Sequence, residues 1–224
     1  GITNIIIVDD LANNQDKIRN IKNLNFDSLV GIKAFIEDLD NFKTLDYIFH
    51  QGACSDTMNY DESYMFSNNT DYSIKLLNHS LNNNINFIFA SSASIYGHGH
   101  MGFKEEKNCE MPLNTYAQSK LKVDLAIRGF LTQKLSSQVV SLRYFNVYGF
   151  PEFHKKRMAS VPFHFFNQLK SNNTIKIFDG SKKFARDFIF IDDVLSIISH
   201  FIDSKFSGIY NTGTGNVRTF EAVS

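Results

Sequence analysis

Tyr116 and Lys120 stand four residues apart in Thr115-Tyr116-Ala117-Gln118-Ser119-Lys120, a spacing that stacks them on one face of a helix. A lysine ammonium beside a phenol favours the phenolate, so Tyr116 can take or give a proton near neutral pH. The same ammonium can hold a ribose hydroxyl of a nicotinamide nucleotide. A surface tyrosine with a solvated lysine has this spacing too, so the rest of the chain must decide between the two readings. Ser92 lies twenty-four residues before Tyr116 and past an apolar run. Its hydroxyl can bond the substrate oxygen that the tyrosine protonates or deprotonates, or it is simply a turn serine.

Other residues suit a dinucleotide. Asp9 ends the first apolar run, where a carboxylate can accept both hydroxyls of an adenosine ribose. Lys17 either neutralises a 2′-phosphate or is plainly solvated. Gln51, Gly52, Ala53, Cys54 and Ser55 place small side chains where a strand meets a loop, letting a dinucleotide lie against the backbone. Cys54 has no histidine beside it and reads as a packing residue. Asn68, inside a long helix, can reach the backbone of a neighbouring loop. Arg186, between Phe184 and Phe188, can grip a pyrophosphate bidentately. The basic run His154-Lys155-Lys156-Arg157 reads as a solvated loop, a phosphate clamp or the source of an acid/base lysine.

The elements that position these groups follow from periodicity. Apolar runs at 5–8, 45–50, 87–90 and 138–143 read as strands, the first of them fully buried. Residues 31–38 and 61–81 and the stretch after Asn114, its cap, read as helices. Later come a helix at 158–169, a strand at 174–178, a strand at 188–191, a helix at 194–201 capped by Asp192-Asp193, and a strand at 208–211. The alternation predicts an α/β fold: a Rossmann-type doubly wound parallel sheet with a smaller substrate-binding lobe. Residues 1–145 and 188–215 form the expected dinucleotide-binding domain, and 146–187 with 216–224 the lobe. Ligands of such sheets bind beyond the carboxyl ends of the strands, where Asp9, the 51–55 loop, Ser92 and Asn146 all fall. Both ends look cut, so the chain reads as a piece lacking a preceding Gly-rich βα unit and a C-terminal segment.

The 224 residues include 23 basic and 23 acidic side chains, for a formal net charge of zero. That balance argues against nucleic acid or an anionic membrane as partner, since both require excess positive charge. No apolar run approaches the ~18 residues of a membrane span. Cys54 and Cys109 form no metal-type spacing and read as reduced thiols in a cytoplasmic protein. No histidine pair has ligand spacing with a carboxylate, so no metal is expected.

Several stretches together resemble the extended short-chain dehydrogenases that act on nucleotide sugars. They are Ala90-Ser91-Ser92-Ala93, Tyr116-x-x-x-Lys120, residues 143–149, Arg186-Asp187-Phe188 and Asn211-x-Gly213-x-Gly215. His50 with the 51–55 loop, His154-Lys155, Met158-Ala159-Ser160-Val161 and Phe178-Asp179-Gly180-Ser181 resemble one branch, the ADP-glyceromanno-heptose 6-epimerases. The resemblance implies a cytoplasmic isomerase of lipopolysaccharide inner-core heptose synthesis. It also implies bound NADP, with NAD as the other possibility, an ADP-sugar substrate and a homo-oligomer, typically a pentamer. By position it implies cofactor contacts from Asp9, Asp10, Lys17, Gln51, Gly52, Ala53, Cys54, Ser55, Asn68, Lys120, Val147 and Lys155. It implies substrate contacts from Ser92, Asn146, His164, Phe178, Asp179, Gly180, Ser181 and Arg186, with Tyr116 and Lys155 as the acid/base pair. Asp10 stands where the family usually has asparagine, and Arg157 where it has a small residue touching sugar. A UDP-hexose 4-epimerase shares Ser92, Tyr116 and Lys120 but does not need Lys155. A 4,6-dehydratase would need acidic residues at Ala93-Ser94-Ile95. A non-catalytic dinucleotide-binding protein would have no reason to keep the three groups together.

Overall fold

The computed structural model describes residues 2–11 and 14–224. In chain order the strands are β1 (Ile6–Val8), β2 (Ser28–Val30), β3 (Tyr47–His50), β4 (Asn86–Ser92), β5 (Val139–Tyr144), β6 (Asn146–Tyr148), β7 (Ala185–Phe190), β8 (Gly208–Thr212) and β9 (Val217–Thr219). The α-helices are α1 (Gln15–Ile21), α2 (Ile32–Glu37), α3 (Glu62–Met65), α4 (Tyr72–Asn82), α5 (Thr115–Phe130), α6 (Val161–Asn172), α7 (Ile191–Ser204) and α8 (Phe220–Val223).

The central sheet is parallel, in the order β3-β4-β5-β8. Its strands alternate their side chains between two helical layers. Phe87 and Phe89 of β4 face α4 and α5, packing with Leu76, Leu77, Val123 and Ile127. Ile88 faces the other way and joins Val140, Leu142 and Phe201 of α7. Each fully buried side chain of this size contributes on the order of 1.5–3 kcal/mol. The doubly wound arrangement expected from the sequence is therefore present. The register sets Ser92 beside Tyr144, and Tyr144 beside Thr212, so three strands end at one rim.

Smaller ladders flank this sheet. Among the described residues β1 and β2 pair only with each other, in parallel. β7 pairs in parallel with β6 and antiparallel with β9. The first strand is half-buried rather than fully buried, because one short neighbour covers only part of it. Residues 174–178 form no strand, and a turn through Gly180 (φ +82) follows them. α7 starts at Ile191, so Asp192 and Asp193 lie inside its first turn, where the positive end of the helix dipole stabilises them, rather than capping it. The expected 61–81 helix contains a π-helical stretch, Phe66–Asp71, between α3 and α4. β2, β6 and α1 are additional; each is short and weakly periodic.

Candidate functional site

α5 begins at Asn114, whose Oδ1 accepts the Ala117 amide at 2.8 Å, as its sequence predicts. Its buried stripe runs through Ala117, Lys120, Val123, Asp124 and Ile127, so two charged groups lie among apolar ones. Lys120 Nζ donates to the Ala90 carbonyl at 2.7 Å and sits 4.7 Å from the Phe89 ring centroid. Burial pulls the Lys120 ammonium down to about 8, with Asp124 opposing the fall. Asp124 accepts from Ser141 Oγ at 2.6 Å and from Arg143 Nε at 2.8 Å. Arg143 also donates to Tyr96 Oη at 2.9 Å and to Glu110 at 2.5 Å, completing a buried charged network behind the helix.

Tyr116 lies half-buried one turn before Lys120. Burial pushes its phenol above the ordinary value, the nearby Ser92 hydroxyl pulls it back, and Cys54 adds to the rise. Ser92 and Tyr116 are thus side by side. The expected push from Lys120 toward the phenolate is not what governs Tyr116 here, because that ammonium is turned onto Ala90. Ser92 Oγ also accepts the Ser94 amide at 3.2 Å, which fixes the turn after β4.

The 51–55 loop is held from the π-helical stretch. Asn69, fully buried, accepts the Cys54 amide on Oδ1 at 2.8 Å and donates Nδ2 to the Cys54 carbonyl at 2.9 Å. It also donates to Ser119 Oγ at 3.2 Å, linking the loop to α5. The loop contact expected of Asn68 therefore belongs to Asn69, because the π turn rotates the helix by a residue; Asn68 instead donates to Asn69 Oδ1 at 2.9 Å. Gln51 Oε1 accepts from Tyr144 Oη at 2.8 Å. Gly52 has open space where a Cβ would stand, and Gly52, Ala53 and Ser55 are exposed.

Asp9 and Lys17 form an ion pair of 2.7 Å, and Asp10 Oδ1 accepts the Ile32 amide at 3.1 Å. His154 bonds Asn20 of α1 through Nδ1 at 2.9 Å. Its imidazole is depressed by burial and by Lys155 and Lys17, so the predicted basic loop lies beside the Asp9–Lys17 pair. Arg157 pairs with Asp56 just past the 51–55 loop, and its carbonyl lies 3.3 Å from His164 Nε2.

A cavity of about 230 Å³ is lined by Asn146, Val147, Glu152, Lys155, Ser160, Phe188 and Phe220, among others. Lys155 Nζ lies 3.6 Å from Glu152. Burial alone would raise the Glu152 carboxyl, but bonds from Ser160 and Gly149 and the Lys155 charge hold it below the usual range. Asn146 Nδ2 donates to the Asp187 carbonyl at 3.0 Å. Phe178 packs on Phe220 at 5.4 Å, with Gly180 at the following turn and Ser181 buried; Asp179 is exposed. Arg186 is exposed, 5.9 Å from the Phe220 centroid. A larger concavity, about 550 Å³, opens at the amino ends of the strands between Asn86, Gln138 and Lys205, away from these groups. Among the described residues no group of three or more His, Cys, Asp or Glu is placed to hold a metal ion, and no helix is long and apolar enough to cross a membrane.

Four contacts escaped the sequence reading. Asn69 looked like its neighbour. Tyr144 looked like core. Glu152 is a lone carboxylate between an aromatic and a proline-containing stretch. Asp187 accepts from Thr214 N and Oγ1 at 3.0 and 2.7 Å and from Gly215 N at 2.8 Å, joining two motifs recognised separately. Only the nearness of Asp124 to Lys120 at helical spacing offered a signal for the buried network.

A parallel sheet with a serine–tyrosine pair and a buried lysine at its carboxyl rim, a backbone-lined loop beside them and a lobe cavity next to the rim define a dinucleotide-dependent protein of the Rossmann class. The chain belongs to the NAD dependent epimerase/dehydratase family, whose model matches residues 2–213. It is 46% identical over 230 aligned residues to a Brachyspira hyodysenteriae ADP-L-glycero-D-manno-heptose-6-epimerase, covering all of this chain and 72% of that protein. The crystal structure of the Helicobacter pylori ADP-L-glycero-D-manno-heptose-6-epimerase is similar with TM-score 0.85 and 28% identity, over 98% of this chain and 71% of that one. A Methanobrevibacter ruminantium UDP-N-acetylglucosamine 4-epimerase is similar with TM-score 0.82 and 29% identity, over 96% and 70%.

Proposed function

We propose that the protein is an ADP-glyceromanno-heptose 6-epimerase. It interconverts the D-glycero and L-glycero forms of ADP-D-manno-heptose through transient oxidation at C6″, as a cytoplasmic step of lipopolysaccharide inner-core heptose synthesis. The 46% identity over the whole chain to a relative of that name carries the reading. The 4-epimerase alternative has support at 29% identity only, and the cavity lysine that it does not need is present.

The residues present fit a nicotinamide dinucleotide. Lys120 uses one of its three N–H donors on Ala90, which leaves two for a ribose. Gly52, with open space beyond it, lets a ligand lie along the 51–55 backbone. The 51–55 loop, Asn68, Lys120 and Val147 would hold its nicotinamide half; Asp9, Asp10 and Lys17 would hold its adenosine ribose. We read the cofactor as NADP, because Lys17 and His154 offer donors for a 2′-phosphate beside Asp9. When bound it supplies a reversible hydride acceptor.

The chain's own residues handle the proton. Tyr116, a neutral phenol held by Ser92, exchanges the C6″ hydroxyl proton on one side of the sugar. Lys155, anchored by Glu152, exchanges it on the other, so the hydride can return to either face of C6″. Asn146, His164, Phe178, Asp179, Gly180, Ser181 and Arg186 would hold the ADP-sugar. We carry forward the homo-oligomer, a pentamer by family resemblance, which light scattering measures directly. The test of the reading is incubation with ADP-D-glycero-D-manno-heptose and NADP, followed by NMR of the C6″ epimer. Inversion of a UDP-hexose at C4″ instead, or no inversion, overturns it.

A further inference from the structure

Arg186 and Arg218 are direct partners across the antiparallel β7–β9 pair. Side chains of directly opposed residues project on the same face of a ladder, and like charges placed this way repel. Neither guanidinium takes part in an ion pair among the described residues; Arg186 donates only to its neighbour's carbonyl, Ala185 O, at 2.8 Å. Both side chains are exposed. The nearest strand carboxylate, Asp187, points to the opposite face and is committed to Thr214 and Gly215. Glu221, in the first turn of α8, is paired with Lys182 at 3.2 Å.

The face that carries both arginines is the cavity's face. Phe188 lies two residues after Arg186 and shares its side of β7, and Phe188 lines the cavity with Asn146 and Phe220. Arg186 in turn lies over the Phe220 ring. Arg186 therefore stands beside that cavity, and Arg218 lies on the same side of the same ladder, both unpaired among the described residues.

We propose that Arg218 is a substrate-binding residue that grips, together with Arg186, the diphosphate of the nucleotide-sugar. A dianion laid across the rung turns a repulsive pair into two charge-assisted contacts. The proposal rests on the nucleotide-sugar reading above but not on which base or sugar is carried.

Calorimetric titration of the protein with ADP, UDP and inorganic pyrophosphate tests it. Arg218→Ala is expected to weaken binding of each by about tenfold or more, and Arg218→Lys by less, with the salt dependence of binding reduced in both. NADP binding serves as the control and stays within about twofold. Arg218→Gln, which keeps the strand length and loses the charge, replaces Arg218→Ala should the latter fail to fold. Unchanged diphosphate affinity in either variant overturns the proposal, as does an equal loss of NADP binding. Loss of UDP or pyrophosphate binding in a protein that ignores ADP supports the Arg218 assignment while refuting the ADP-sugar reading.

Discussion

Asn69 holds Cys54 by both of its backbone polar groups, at 2.8 and 2.9 Å, and reaches Ser119 of the tyrosine-bearing helix with the same amide. One fully buried side chain thus sets how the 51–55 loop stands relative to α5. Asn69→Ala is expected to cost on the order of 2–3 kcal/mol, since it strands the amide and carbonyl of Cys54. It should also weaken dinucleotide binding several-fold. Urea denaturation and a fluorescence titration check both, and an Asn69→Ala protein as stable as Asn68→Ala would refute the clamp.

The Ser92–Tyr116 pair predicts the pattern of catalytic loss. Tyr116→Phe should cut turnover by ~10²-fold or more with the fold intact, because the proposed mechanism makes the phenol the proton carrier. Ser92→Ala should cost less. Near-normal turnover of Tyr116→Phe with ADP-heptose removes Tyr116 from the mechanism.

Lys120 predicts a trade of stability for function. Its ordinary value is 10.5 and its folded value about 8, so between these the unfolded chain keeps a proton that the folded protein has released. Stability from this group therefore rises as pH climbs from 8 to 10.5, and below 8 the full penalty of a buried charge is present. Lys120→Met should be inactive yet melt higher than the parent at pH 7, with the gap closing near pH 10.5. A lower melting temperature at pH 7 contradicts this balance.

His50 predicts acid sensitivity. Burial and the Lys120 charge hold its imidazole down at about 3, against an ordinary 6.5, and its Nε2 lies 2.7 Å from Ser73 Oγ. The unfolded chain takes up a proton that the folded protein refuses, so stability falls as pH drops from 6.5 toward 3. His50→Gln should flatten the stability–pH slope by about one proton over that window. Denaturation midpoints measured every half unit of pH decide it; an unchanged slope assigns the acid loss elsewhere.

Gly213 sits where a Cβ would lie 2.6 Å from Asp187 Oδ2 and 2.9 Å from the Phe145 ring. Gly213→Ala is expected to destabilise by about 1–3 kcal/mol through overpacking. Gly215, with open space around it but a φ of +74, should resist substitution through its backbone instead. Thermal melts of the two alanine variants, compared with the parent, read these costs directly.

The centre of the main sheet was legible because β4 and β5 are apolar and buried on both faces, as Phe87, Ile88 and Phe89 of β4 illustrate. β1 was legible as a strand but not in its burial, and β2 was missed because three largely exposed residues write no pattern. The helix around Asn69 kept its apolar spacing on both sides of the π stretch, so periodicity gave its length but placed the loop contact one residue early. The Ser92–Tyr116 adjacency followed from strand-end logic. The direction taken by Lys120 did not, because a side chain that long can reach either a ligand or a carbonyl from one Cα. Asp187 and Gly213–Gly215 were visible as motifs, but their union depends on a turn that brings residues 27 and 28 positions apart into contact.

The short segment Phe153–Met158 is moored at two points: His154 to Asn20 of α1, and Arg157 to Asp56 beyond β3. Both moorings lie on the parts of the chain proposed to hold the dinucleotide, whereas Lys155 between them lines the cavity proposed for the sugar. One six-residue segment therefore touches both proposed ligand sites, so any coupling between the two ligands through it is mutual. An isomerase that ends each cycle in its starting redox state has no need to exchange its coenzyme between turnovers.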